Sequence, residues 1–143
     1  MSQPNELVGL VTPPAHLADE TRDWAKPLVA AAGDAFVALY MYGSALGAAF
    51  DARASDVNVL LVVRKLEFEG LQALARALTA AQGKVPAGRR YTPLVLTEAQ
   101  VQSSVDVFPL EFLDLTQRRA LLQGDDTLSG VRVGRGNLRH QIE

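Results

Sequence analysis

The chain has 143 residues, 48% of them hydrophobic and 21% charged, with no cysteine and a formal net charge of -2. A single domain of this size buries about two thirds of the surface its unfolded chain exposes, which excludes disordered, fibrous and disulfide-stapled classes. Without cysteine there is no thiolate nucleophile, and two isolated histidines, His16 and His140, cannot build a histidine-rich metal cluster.

The mild acidity argues against a domain made mainly to bind nucleic acid, while leaving room for a small nucleic-acid partner. No stretch approaches the about 18 apolar residues of a transmembrane helix, and the start of the chain lacks a basic head followed by an apolar run. The expectation is a cytoplasmic protein with no membrane partner.

Residues 1–14 are polar and carry Pro13-Pro14, so a loose lead-in is expected. From Ala15 to Ala32 the apolar residues Leu17, Trp24 and Leu28 fall near helical spacing, with Asp19, Glu20 and Asp23 in the early turns; the pattern predicts a helix bent at Pro27. Phe36 to Tyr42 (FVALYMY), stopped by Gly43, and Asp56 to Val63 (DVNVLLVV) both read as buried strands. Phe68 to Gln82 sets Leu71, Leu74, Ala75 and Leu78 on one helical face, and Gly83 closes it.

Thr92 to Leu96 is a third strand candidate. Val107 to Leu115 (VFPLEFLDL) fits a short helix nearly as well but is read as a strand, and Ala120 to Gln123 ends at the turn signal Gly124-Asp125. The whole predicts an α/β domain over 15–135, a mixed sheet flanked by helices. Residues 136–143 read as the start of a C-terminal helix, one that docks on a partner or continues in a longer form of the chain.

One segment stands out, Met41 to Val63, in which a buried strand leads into Gly43-Ser44, then small residues, then an acid heading another buried strand. Glycine removes the steric barrier to close backbone approach, and a following helix start favours anions, so such a turn can cradle phosphate. Asp56 beside that turn suggests Mg2+, which takes one or two carboxylates together with phosphate oxygens. Each feature alone is as readily a plain turn and a solvated strand cap.

Together they resemble the nucleotidyltransferase-fold superfamily, which includes DNA polymerase beta, the kanamycin-type antibiotic nucleotidyltransferases and the minimal nucleotidyltransferases. That resemblance rests on a hydrophobic strand, Gly43-Ser44, residues 45–55, then Asp56-Val57-Asn58-Val59, with Gly47 and Ser55 also at positions that many members share. It implies Gly43, Ser44 and Ser55 as nucleotide-binding residues, Asp56 and Asn58 as the catalytic pair, Asp56 as a metal ligand, Mg2+ as cofactor and an NTP as substrate.

The departure from the pattern is at position 58. The family's chemistry needs carboxylates at i and i+2, where strand alternation puts both on one face to hold two Mg2+ ions, and Asn58 brings an amide without charge. A third acid is also hard to place, Glu111 and Asp114 being the nearest candidates, and Arg53 is the only basic residue between Ser44 and Asp56.

Three readings follow. The first is a catalytically weak or inactive nucleotidyltransferase-fold protein, in effect a pseudoenzyme, that keeps nucleotide or Mg2+ recognition. The second is an active Mg2+-dependent enzyme moving an NMP from an NTP to a hydroxyl acceptor. The third is a regulatory, antitoxin-like partner protein. Association as a homodimer or with a helical protein is expected through Ala73 to Ala81 and the segment after Gly136.

Overall fold

The computed structural model describes residues 10–43, 56–85, 89–107 and 119–128. Helix α1 spans Ala15–Ala32, followed by a 3-10 turn at Gly33–Ala35 and strand β1 at Phe36–Tyr42. Strand β2 spans Asp56–Val63, α2 Phe68–Gln82, β3 Arg90–Thr97, α3 Glu98–Val107 and β4 Arg119–Gly124. The sheet order is β3-β2-β1-β4, with β1 antiparallel to both β2 and β4, and β2 parallel to β3 across the α2 crossover. This is an α/β fold, a mixed sheet flanked by helices.

Alternation along the strands divides the sheet into two faces. Leu39 and Met41 of β1, with Val57, Val59, Leu61 and Val63 of β2, pack under α1 and α2, where Leu17, Trp24, Leu28, Leu74 and Ala81 meet them. Each large apolar side chain buried in this way contributes about 1.5–3 kcal/mol. The other face carries Ala38, Tyr40, Leu60 and Val62, covered by Val101 of α3 and by Leu128. Helix α1 runs through Pro27 to Ala32 and ends at Gly33, whose φ of 56° suits glycine.

Two sequence expectations change. Helix α3 occupies residues that the hydrophobic pattern left unassigned. It starts on a reciprocal cap, the Thr97 N–H donating to Gln100 Oε1 at 2.9 Å and the Gln100 N–H to Thr97 Oγ1 at 3.1 Å. Val107 is the last residue of that helix, not the first of a strand, and 108–118 lie outside the described residues, as does the stretch from 129 on.

Gly124 ends β4 with φ 90°, and a Cβ there would sit 2.1 Å from the Val37 carbonyl oxygen, so only glycine lets the chain pass this close to β1. No described helix is long and apolar enough to cross a membrane.

Candidate functional site

The antiparallel register sets Tyr42 opposite Asn58, which brings the end of β1 and the start of β2 to the same end of the sheet. Gly43 closes β1 there with φ 82°. Ser44 and Ser55, the remaining residues expected at the phosphate cradle, lie outside the described residues, as do Gly47, Arg53, Glu111 and Asp114.

In β2 the odd-numbered valines are buried under α1 and α2, so alternation sends Asp56 and Asn58 to the opposite face, the first exposed and the second half-buried. The parallel pairing places Arg90 opposite Asp56 and Thr92 opposite Asn58. One end of this face is therefore polar, with Arg90 and Asp56 at the rim and the row Thr92, Asn58, Tyr42 and Arg119 one step inside. Beyond that row the face turns apolar, with Leu94, Leu60, Tyr40 and Leu121.

At the rim Arg90 Nε lies 3.6 Å from Asp56 Oδ1, and both side chains are open to solvent, at 79% and 48% exposure. A pair so exposed contributes little to stability. Its electrostatic consequence is larger, because a cation placed on Asp56 meets the Arg90 charge. Two like unit charges about 4 Å apart repel by about 1 kcal/mol in water-like surroundings and about 4 kcal/mol at the dielectric typical of a protein surface.

The inner side of the row is locked. Arg119 is fully buried and donates from Nε and a terminal nitrogen to Asp126, at 3.1 and 2.7 Å. Asp126 also accepts from the Tyr40 hydroxyl at 2.7 Å and from the Leu128 N–H at 3.2 Å, while the Thr127 N–H donates to the Tyr40 oxygen at 2.7 Å. Burial works against the Asp126 charge, but the hydrogen bonds from Arg119 and Tyr40 outweigh it and hold the carboxyl below the ordinary aspartate value. Burial, and then the bond to Asp126, push the Tyr40 hydroxyl up to about 12, so it stays a donor.

Sequence reasoning missed this network. Nothing in the local pattern of residues joins Asp126 to Tyr40.

A second network fixes the start of β3 from the α1 side. Arg89 donates to both Glu20 oxygens at 2.7 and 3.0 Å, and the Tyr91 hydroxyl donates to Glu20 Oε2 at 2.6 Å. The Arg89 bonds hold Glu20 below the ordinary glutamate value. Trp24, one of the apolar residues at helical spacing in α1, stacks on Tyr91 with ring centres 4.4 Å apart. A cavity of about 300 Å³ on this side, lined by Glu20, Trp24, Lys26 and Lys84 among others, is separate from Asp56 and Asn58.

Among the described residues, the donor set near Asp56 is a poor match for a pair of divalent cations. It offers one carboxylate, one amide and one hydroxyl beside an arginine, and among the described residues no group of three or more histidine or acidic side chains could hold a metal.

The sequence matches no protein-family model and no curated protein. Solved structures do match. Spectinomycin adenyltransferase AAD(9) from Enterococcus faecialis, determined with ATP and spectinomycin, superposes with a TM-score of 0.67 at 12% identity, over 87% of this chain and 63% of the adenyltransferase. The chain thus spans less than two thirds of that enzyme's length. A Sulfolobus solfataricus structure assigned to the nucleotidyltransferases also matches, at a TM-score of 0.45 and 12% identity, over 75% of this chain and 79% of that one. The superposition on the adenyltransferase, with the mixed sheet and its flanking helices, shows that the chain has the nucleotidyltransferase fold.

Proposed function

We propose that the chain binds a nucleotide at the polar end of its sheet and transfers nucleotidyl groups weakly or not at all. The observation that carries this is Asn58 on the same face as Asp56, at the step where a second carboxylate would be needed. A strand that supplies one acid where two are needed holds a pair of divalent ions poorly against their mutual repulsion, which weakens the alignment of an attacking hydroxyl with the phosphates that a metal pair would supply when bound.

In this reading Gly43, Ser44 and Ser55 form the phosphate cradle, and Asp56 and Asn58 face it from β2. The fold match to an enzyme solved with ATP makes ATP the first nucleotide to test. The domain proposed for this role covers 15–135, with 136–143 opening a C-terminal helix. Self-association through Ala73 to Ala81 of α2 and the segment after Gly136 also belongs to the proposal, and the exposed Phe68 and Leu71, at 72% and 52%, add apolar surface at the start of the same helix.

Calorimetry with each NTP, with and without Mg2+, tests the binding, and a labelled-NTP assay tests the transfer. The expected result is saturable binding of at least one NTP with little or no labelled product. Efficient transfer by the wild-type protein would sink the reading.

A further inference from the structure

We infer that Arg90 binds the polyphosphate of a nucleoside triphosphate directly, so that nucleotide recognition at this site needs no divalent cation. The inference rests on the nucleotide-binding reading and goes beyond it in naming the group that neutralises the phosphate charge.

Three observations carry it. The charge balance at the rim is the first: among the described residues a single carboxylate, Asp56, stands against a guanidinium 3.6 Å away, and that guanidinium opposes a divalent ion on Asp56. The second is placement. Arg90 is in register with Asp56 on the neighbouring parallel strand, and its two chain neighbours are held from the other face, Arg89 by Glu20 and Tyr91 by Glu20 and the stack on Trp24. The backbone at residue 90 is thus fixed while the side chain remains 79% exposed and able to turn toward a ligand.

The third is the row behind it. Thr92 and half-buried Asn58 offer a hydroxyl and an amide N–H to an anion, where a second carboxylate would repel it. Arginine suits this task because its planar fork meets two phosphate oxygens at once.

Asp56 then has a role opposite to that of a metal ligand: it occupies Arg90 in the free protein and gives it up when phosphate arrives. The two roles predict opposite effects for Asp56→Asn. ATP titrations by calorimetry in excess EDTA and in excess Mg2+, on wild type, Arg90→Gln and Asp56→Asn, separate them, with thermal melts as folding controls.

Wild type is expected to bind ATP with affinities within about threefold in the two conditions. Arg90→Gln should lose about tenfold or more in EDTA while melting as wild type does, since charged hydrogen bonds to the phosphate disappear. Asp56→Asn should bind ATP as tightly as wild type or more tightly in EDTA, and inorganic tripolyphosphate should compete.

Binding that vanishes in EDTA and is weakened by Asp56→Asn in Mg2+ overturns the inference while leaving nucleotide binding intact. Retained affinity in Arg90→Gln, or failure of tripolyphosphate to compete, overturns it as well. Absence of ATP binding in both conditions removes the nucleotide reading and this inference together.

Discussion

Arg89 and Arg90 stand side by side in the chain, yet the Arg89 side chain is 9% exposed and doubly bonded to Glu20, whereas that of Arg90 is 79% exposed and meets Asp56 only at 3.6 Å. Strand alternation sends them to opposite sides of the sheet. On the α1 side the arginine meets a carboxylate and a tyrosine in a packed interface, and it holds an element in place. On the other side it meets solvent and a carboxylate of its neighbouring strand, and it is available for a ligand. Fully buried Arg119 is locked as Arg89 is, but on the Arg90 side of the sheet, where it stands in the row that contains Asn58 and is tied to Asp126.

If the contrast is sound, substitutions should divide the same way. The largest effect is expected at Asp126→Ala. That change removes the carboxylate to which buried Arg119 donates two hydrogen bonds and should cost about 3–5 kcal/mol, read as a lower midpoint in urea denaturation. Arg89→Ala comes next, at about 1–2 kcal/mol, the lower part of the range for charged hydrogen bonds because Glu20 is partly exposed. It should also weaken ATP binding by freeing the backbone beside Arg90, and unchanged affinity would show that Arg89 does not position its neighbour.

Acid melts sharpen the comparison. Glu20 and Asp126 both have folded-state values below their unfolded ones, so their stabilisation is complete above the unfolded values of about 4 and is lost as pH falls through and below them. Wild type should therefore lose stability steadily on acidification from about pH 5. Arg89→Ala should show a shallower loss, because the bond that lowers Glu20 is gone; an identical slope would refute that assignment.

Asn58→Asp should cost about 1 kcal/mol or less without metal, since it sets two like charges on one face, and Mg2+ should restore the loss by binding the folded state. Paired thermal melts measure this, and a mutant indifferent to Mg2+ would mean that position 58 does not face a cation site. The smallest change in stability belongs to Arg90→Gln, within about 0.5 kcal/mol by urea denaturation, in keeping with an exposed pair.

The elements themselves were largely legible in the residue pattern. Helix α1, both central strands and α2 fall where hydrophobic spacing put them, because each buries a continuous apolar stripe or face against the core. Helix α3 was not legible by that signal, since Val101 is its one described side chain in the core. Its marker was the Thr97-Glu98-Ala99-Gln100 capping sequence, which hydrophobic periodicity does not detect.

At the site, the chain order Gly43-Ser44 followed by Asp56-Val57-Asn58 determined a shared face for positions 56 and 58, as well as the missing charge, because alternation in a strand is a local property. Tertiary structure alone decided that Arg90 lies beside Asp56, that Arg89 closes on Glu20 69 residues away and that Asp126 holds Tyr40 across 86 residues. These pairings depend on strand order and register, which are set by how whole faces pack together, and no local run of residues encodes them.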